Sequence, residues 1–134
     1  MSEREIVDEF LAAGPWAVAG ASADRSKYGN KVLRCYQQAA KSPVYPLNPS
    51  ADEIEGLPAY PDLAAVPEKV RALSIITPPP ITERVVAQAL ELGVESVWIQ
   101  PGAESDAAIR ACEDAGVPVI HGGTCILVVL GYRE

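Results

Sequence analysis

The sequence predicts an α/β domain in which helices cover both faces of a parallel sheet of about five strands. Apolar runs of strand length alternate along the chain with segments whose apolar residues recur every three or four positions, as they do in amphipathic helices. The strand-length runs are almost continuously apolar, which is typical of parallel strands buried on both faces. These observations predict a three-layer α/β/α, Rossmann-like architecture with right-handed crossovers.

The first predicted helix lies within residues 1–14 and has signals at both ends. Ser2 and Glu5 have the Ser-x-x-Glu spacing of a capping box, in which each side chain bonds the backbone N–H of the other residue. Gly14 and Pro15 would end the helix. Its apolar face would consist of Ile6, Val7, Phe10 and Leu11.

Five apolar runs supply the predicted strands, and helical patterns separate them. The runs are Trp16–Ala19, Val44–Leu47, Leu73–Ile76, Val97–Ile99 and Val117–Ile120. The helix after the first run would bury Val32, Leu33, Tyr36 and Ala40. Two later helices are predicted from apolar residues at helical spacing: Ile81, Val85, Ala89 and Leu92 in one, and Ala108, Ile109, Cys112 and Ala115 in the other. Gly93 and Gly116 would end them, because glycine accepts the left-handed conformation that closes a helix.

Two segments depart from this alternation. Residues 49–70 contain four prolines and Gly56, so we expect an irregular connection with one short helical turn capped by Asp62. The tail over residues 124–132 is either a sixth strand or a short helix, because a short apolar run does not distinguish the two. The chain of 134 residues is long enough for one domain with its own core, spanning residues 1–134.

Composition argues against several classes of function. A net charge of -7 and a pI near 4.7 disfavour nucleic acids and anionic membranes, which attract proteins with a positive field. The three cysteines form no Cys-x-x-Cys pair, which indicates a reducing compartment and no metal site. The longest apolar stretch, Cys125–Leu130, is far shorter than the roughly 20 residues of a membrane helix, and the charged start of the chain is unlike a signal peptide. We therefore expect a soluble, cytoplasmic protein.

Four predicted strands run into loops of small, polar or proline residues on their C-terminal side. In an open parallel sheet, ligands bind in the crevice outside these strand ends, at the point where the strand order reverses. The first loop, residues 20–30, has the features of an anion site. Gly20, Ala21 and Ser22 would let backbone amides approach a phosphate, and the next helix adds a partial positive charge at its N-terminus. The alternative interpretation is an ordinary strand-to-helix turn.

Basic residues concentrate around this first loop although the protein is acidic. Five of the eleven lysines and arginines lie between Asp24 and Asp52, where no other acidic residue occurs: Arg25, Lys27, Lys31, Arg34 and Lys41. Lys27 lies in the loop itself and is the best candidate for a phosphate contact. Arg34 and Lys41 are more simply explained as the solvated outer face of the helix.

The second loop contains Asn48 and Pro49, where a NAD-binding domain usually offers a carboxylate to the ribose hydroxyls. An Asn-Pro turn would hydrogen-bond a ribose or an adenine edge, or would serve only as a rigid turn. The first loop also lacks the Gly-x-Gly-x-x-Gly spacing of dinucleotide-binding domains. Both observations count against a NAD site.

The third and fourth loops offer apolar surface and an amide. Thr77 is followed by three prolines, which make a stiff ledge suited to the flat or apolar part of a ligand, or which only shape the helix entrance. Gln100 stands at the end of the fourth strand as a candidate ligand-binding amide, whereas Ser105 would cap the next helix. The lone His121 is more simply a structural residue than a catalyst.

Taken in order, these motifs resemble the CoA-binding domain family, the single-domain relatives of the N-terminal CoA-binding domain of the succinyl-CoA synthetase alpha subunit. The matching segments are Val18–Ser22, Lys27–Asn30, Val44–Pro49, Ile54–Gly56, Tyr60–Leu63, Val66-Pro67, Trp98–Gly102, Ala115-Gly116 and Cys125-Ile126. They extend over nearly the whole chain. The synthetase's phosphorylated histidine belongs to a second domain, and His121-Gly122-Gly123 does not match its motif.

The resemblance implies a ligand and a set of residues that hold it. The phosphates would lie against Gly20, Ala21, Ser22, Lys27, Tyr28, Gly29 and Asn30, and the ribose near Asn48 and Pro49. The adenine or the start of the pantetheine arm would lie between Thr77, Pro78 and Pro79 and Gln100, Pro101 and Gly102. The expected function is non-covalent binding of coenzyme A or a short acyl-CoA, with no catalytic residue and no metal. Two alternatives remain open: an NAD(P)-binding enzyme or redox-sensing domain, and the CoA-binding subunit of a split acyl-CoA ligase.

Overall fold

The computed structural model describes residues 2–134 and contains a five-stranded parallel sheet with helices on both faces. The helices are α1 (Glu3–Ala12), α2 (Tyr28–Gln38), α3 (Pro79–Glu91), α4 (Asp106–Asp114) and α5 (Ile126–Val129). The main sheet comprises β1 (Trp16–Ala19), β2 (Val44–Leu47), β5 (Ala72–Ile75), β6 (Ser96–Ile99) and β7 (Val119–Ile120). A separate antiparallel pair consists of β3 (Glu53–Ile54) and β4 (Leu57–Pro58). The predicted Rossmann-like α/β fold is confirmed.

The strands of the main sheet follow the order β2-β1-β5-β6-β7, and all neighbouring pairs are parallel. The chain moves from β1 outward to β2, then returns across β1 and builds the rest of the sheet on its other side. The order therefore reverses between β1 and β5. A crevice at the carboxyl ends of these two strands is where an open α/β sheet binds its ligand.

The two faces of the sheet bury two separate apolar clusters, because successive side chains of a strand point to opposite faces. On the face covered by α1, α2 and α5, the rings of Phe10 and Trp98 meet edge to face with centroids 5.3 Å apart. The Trp16 indole Nε1 also donates to the Phe10 carbonyl oxygen at 2.9 Å. The opposite face packs Leu73, Ile75 and Val97 of the sheet against α3 and α4.

Most of the helix ends predicted from capping residues and glycines agree with the structure. Ser2 and Glu5 form the predicted capping box of α1, and Gly93 and Gly116 follow α3 and α4 with φ angles of +79° and +72°. Helix α2 differs from the prediction because it ends at Gln38. Ala40 was expected on its buried face, but it is exposed and has a left-handed φ of 56°.

The connection over residues 49–70 is more ordered than its prolines suggest. Asp62 caps a 3₁₀ helix over Leu63–Ala65 as predicted, and its carboxylate accepts the Ala65 N–H at 3.2 Å. The hairpin of β3 and β4 was not predicted. Its turn places Glu55 and Gly56 at φ angles of 51° and +80°, the conformation that a tight hairpin turn requires at both central residues. The tail resolves as a helix, α5, rather than a sixth strand.

Within residues 2–134, every helix is too short or too polar to cross a bilayer.

Candidate ligand-binding site

A cavity with a volume of about 790 Å³ lies at the reversal of strand order. Two smaller cavities elsewhere have volumes of about 290 and 250 Å³. The wall of the 790 Å³ cavity is formed by the ends of β1, β2 and β5, one face of α3 and the segment that precedes the 3₁₀ helix. The lining residues are Ala19, Gly20, Ala21, Ser22, Lys27, Leu47, Asn48, Pro49, Pro61, Asp62, Ile76, Thr77, Pro78, Ile81, Arg84, Val85 and Gln88.

Two glycines allow the end of β1, the start of α2 and β5 to come into close contact. A Cβ atom at Gly20 would lie 2.5 Å from the Ile76 carbonyl oxygen, and Gly20 also has a φ of +91°. A Cβ atom at Gly29 would lie only 1.9 Å from the Gly20 carbonyl oxygen. Because both obstacles are backbone atoms, larger residues would force the cavity wall apart.

Asparagine side chains hold this wall in place. The Asn48 Nδ2 donates to the Ala21 carbonyl oxygen at 2.9 Å, while its Oδ1 accepts the N–H groups of Ser50 and Ala51, both at 2.9 Å. The Asn30 Nδ2 donates to the Ser22 carbonyl oxygen at 2.8 Å. These hydrogen bonds join the loop that follows β1 (the β1 loop) both to the loop that follows β2 and to α2.

The basic cluster predicted from the sequence divides into paired and unpaired members. Arg25 pairs with Glu55 at 3.4 Å, and Lys31 and Arg34 pair with Glu134 at 3.0 and 3.9 Å. Lys27 lines the cavity, and its ammonium group has no hydrogen-bond or ion-pair partner in residues 2–134. The charge that remains available to an anionic ligand at this loop is therefore that of Lys27.

A second polar cluster lies at the end of β6. The Oε1 of the fully buried Gln100 accepts the Ile126 N–H at 3.0 Å and the Tyr28 hydroxyl at 3.2 Å. The Tyr28 hydroxyl also lies 2.8 Å from the Cys125 Sγ, and burial raises the pKa of the Tyr28 phenol. The Nε2 of Gln100 is buried and has no partner among residues 2–134, which is unusual because buried donors are nearly always satisfied.

The structure brings together eight of the fifteen residues that the sequence assigned to the site. Gly20, Ala21, Ser22, Lys27, Asn48, Pro49, Thr77 and Pro78 line the cavity. Tyr28, Gly29, Asn30, Pro79, Gln100, Pro101 and Gly102 do not line it. Gly29 and Asn30 lie behind the β1 loop, Pro79 opens α3, and Tyr28 and Gln100 belong to the second cluster. The contacts of all fifteen residues with a ligand stay predictions.

Several lining residues were not among the site residues predicted from the sequence. They include Arg84, Val85 and Gln88 of α3 and Pro61 and Asp62 of the connection, of which Val85 and Asp62 were given only structural roles. Arg84 and Gln88 are four residues apart and so share one helix face, which is the only signal that the sequence carries for them. Which face of α3 borders the cavity depends on how the helix crosses the sheet. Among residues 2–134, no group of three or more His, Cys, Asp or Glu side chains is arranged to hold a metal ion.

Comparison with known proteins agrees with the resemblance seen in the sequence. The family model of the CoA binding domain matches residues 14–131. The alpha subunit of an ADP-forming acetate–CoA ligase II from Pyrococcus furiosus is 30% identical over 94 residues, which are 70% of this chain and 21% of that subunit. This subunit and three further curated relatives, two acetate–CoA ligases and a trans-feruloyl-CoA synthase, are matched over only 14% to 21% of their own length.

Two solved structures are similar over most of this chain. A conserved hypothetical protein from Pyrococcus furiosus has 38% identity and a TM-score of 0.78, with 85% of this chain and 97% of that chain covered. The dinucleotide forming acetyl-coenzyme A synthetase 1 of Ca. Korarchaeum cryptofilum, in complex with phosphate and ADP, has 31% identity and a TM-score of 0.72. That match covers 86% of this chain and 27% of the synthetase.

Proposed function

This chain belongs to the CoA-binding domain family, and on that basis we propose that its main cavity binds coenzyme A or a short acyl-CoA without catalysing a reaction. One observation carries the proposal. The cavity at the reversal of strand order joins a glycine-lined loop, a helix N-terminus and the unpaired Lys27 on one side to an apolar wall on the other. Coenzyme A has the matching halves, a diphosphate and an adenine ring.

The diphosphate would lie at the β1 loop. Backbone amides at Gly20, Ala21 and Ser22 and the N-terminus of α2 favour an anion there, and Lys27 adds a full positive charge. The lysine is exposed, so its contribution would weaken as salt is added. Asn48 and Pro49 border the same cavity at the end of β2, the place that the ribose occupies in Rossmann domains.

The adenine would pack against the apolar part of the wall. Pro78, Ile81 and Val85 lie together there, and Ile81 is an exposed apolar side chain that a bound ring would cover. Covering apolar surface gains about 25 cal/mol per Å². The pantetheine arm would then run along the strand ends towards β6, since adjacent strands are only about 4.8 Å apart.

The proposal also states that the domain binds its ligand without catalysing a reaction. The residues that line the cavity include no histidine and no cysteine, two of the side chains that most often serve as a general base and as a nucleophile. A specific observation supports a second candidate, the CoA-binding subunit of a split ligase. The chain matches about a fifth of a ligase alpha subunit, so the chemistry of such an enzyme would belong to segments beyond the matched region.

Thermal unfolding with added ligand tests the first proposal against NAD. A ligand at one hundred times its dissociation constant stabilises the folded state by roughly 2.7 kcal/mol, which gives a readable rise in Tm. We expect a rise with coenzyme A and little change with the same concentration of NAD, because Asn48 replaces the carboxylate that NAD sites use for the ribose. Equal or greater stabilisation by NAD would reject the proposal.

A further inference from the structure

Arg84 is a second cation in the cavity, on a different element from Lys27. It projects from the second turn of α3, is exposed, and lines the cavity. No hydrogen bond or ion pair joins its guanidinium group to any other side chain or backbone group in residues 2–134. In a protein with a net charge of -7, an arginine without a carboxylate partner beside a cavity is available to an anionic ligand.

Hydrogen bonds locate Arg84 at the β2 end of the cavity. Gln88, one turn further along α3, has an Oε1 that accepts the Leu63 N–H at 3.3 Å. Leu63 directly follows Pro61 and Asp62, which also line the cavity. Tyr60 in turn pairs with the end of β2, because its carbonyl oxygen accepts the Asn48 N–H at 2.8 Å. The face of α3 that bears Arg84 therefore borders the segment lying alongside β2.

The two cations border different loops of the same cavity. Lys27 precedes α2 at the β1 loop, where the backbone is suited to a diphosphate. Arg84 faces the β2 side, where a ribose would lie. Coenzyme A has this distribution of charge, since it carries a diphosphate on the ribose 5′ oxygen and a separate phosphate on the 3′ oxygen.

We propose, on the premise of the proposed function, that Arg84 binds the 3′-phosphate of coenzyme A and makes the cavity selective for coenzyme A over dephospho-CoA. A guanidinium group suits this role because its planar donors bond two phosphate oxygens at once. Asp62 lines the same end of the cavity, and its carboxylate stays negatively charged while it caps the 3₁₀ helix, so a phosphate there needs a cation beside it. The 3′-phosphate would thus meet Arg84 as its cationic partner.

Isothermal titration calorimetry at low salt with coenzyme A and dephospho-CoA tests the assignment. The wild type should bind coenzyme A at least tenfold more tightly, a difference of about 1.4 kcal/mol. Arg84→Gln should lose that tenfold preference and leave the affinity for dephospho-CoA within twofold of the wild type. Arg84→Lys should retain part of the preference, because the charge remains although the paired donors are lost.

Two further variants separate charge at this position from charge elsewhere. Arg110→Gln removes an exposed arginine of α4 outside the cavity and should change neither affinity. Lys27→Ala should weaken both ligands by a similar factor, because both carry the diphosphate. Arg84 is exposed, so its variants should fold, and circular dichroism would verify this.

The outcomes distinguish this inference from the function on which it rests. If the wild type binds neither ligand, the proposed function fails and the assignment fails with it. If the wild type binds both ligands equally, or if Arg84→Gln weakens both equally or neither, the cavity still binds a CoA-type ligand but Arg84 does not read the 3′-phosphate.

Discussion

Gly29 stands in the first turn of α2 directly against the end of β1, and this contact determines which residue the position accepts. The nearest atom to a Cβ built there is the Gly20 carbonyl oxygen, at 1.9 Å, and the next is the Gly20 carbonyl carbon at 2.9 Å. Gly20 belongs to the loop that lines the cavity. A side chain at Gly29 would therefore displace the loop on which the proposed phosphate contacts depend.

We expect Gly29→Ala to destabilise the fold, although the same change inside a helix normally stabilises by about 0.5–1 kcal/mol. The forced shift of packed backbone should cost roughly 1–3 kcal/mol and exceed that gain. Urea unfolding measures the stability, and calorimetry measures the affinity for coenzyme A, which should also fall because the loop has moved.

Gly116→Ala provides the control for a general loss of stability. Gly116 has a φ of +72°, so alanine is strained there, but a Cβ would have no neighbour within 4 Å and the residue lies outside the cavity. This variant should lose stability and keep its affinity for coenzyme A. A Gly29→Ala protein as stable as the wild type would show that the loop tolerates the shift.

At the level of single residues, the sequence identifies which side chains stand at strand ends but not where they point. Asn48 was predicted as a ligand contact or a turn residue, and its amide is engaged with the Ala21 carbonyl oxygen. Gln100 is likewise engaged through its Oε1, and its Nε2 has no partner in the part of the chain that the structure describes. Arg84 escaped prediction because one exposed position of an amphipathic helix looks like any other until the helix is placed on the sheet.

Among the elements, those with a continuous apolar pattern could be predicted and those that depend on long-range pairing could not. The predicted bounds of β1 and β2 coincide with the structure, because four consecutive apolar residues between turn signals leave little choice. The strands β3 and β4 have two residues each, and one of the four is Pro58, which cannot donate to a ladder. Such a hairpin has no pattern to detect.

The junction of α3 and α4 depends on Ser105, which the sequence identified as a helix cap. Its Oγ accepts the Ala108 N–H at 3.3 Å and donates to the Glu83 Oε2 at 2.6 Å. Ser105→Ala removes both interactions at a largely buried position. We expect a loss of about 1–2 kcal/mol in the free energy of unfolding, measured with urea.

Glu83→Ala is the matched comparison, because it removes the bridge between the helices and leaves the cap intact. Glu83 is exposed, so this change should cost less than Ser105→Ala. Equal losses in the two variants would mean that the cap contributes nothing and that the bridge alone joins the helices.

For the molecule as a whole, the sequence predicted a basic region in an acidic protein, and the structure shows how little of that charge is free. Glu134, far along the chain, forms ion pairs with Lys31 and Arg34. A local sequence pattern cannot predict an ion pair between residues that are about a hundred positions apart. The cavity is left with Lys27 and Arg84 as unpaired cations, so its positive character is a property of the folded chain rather than of the composition.

The stability of the whole molecule should depend on pH in the alkaline range, because thiol and phenol groups are buried in the folded protein. Cys35 and Cys112 are buried on opposite faces of the sheet, and burial raises the pKa of each thiol from 9.0 to about 11. Burial also raises the pKa of the Tyr36 phenol, which is fully enclosed. The unfolded chain therefore releases protons above pH 9 that the folded protein retains, so the unfolded state binds fewer protons and stability falls as pH rises.

We expect the free energy of unfolding to be nearly constant between about pH 7 and 8 and to decrease steadily between pH 9 and 10.5, by about 1 kcal/mol or more for each buried thiol. Urea unfolding in the presence of a phosphine reductant measures this free energy without disulfide formation.

Cys112→Ala should be less stable at every pH because it leaves a cavity, yet its stability should fall less steeply with pH because one titrating group is gone. Val86→Ala creates a comparable cavity at a fully buried residue that does not titrate, so it should keep the wild-type slope. A wild-type stability that stays flat or rises up to pH 10.5, or equal slopes for the two variants, would show that the buried thiols ionise as readily in the folded protein as in the unfolded chain.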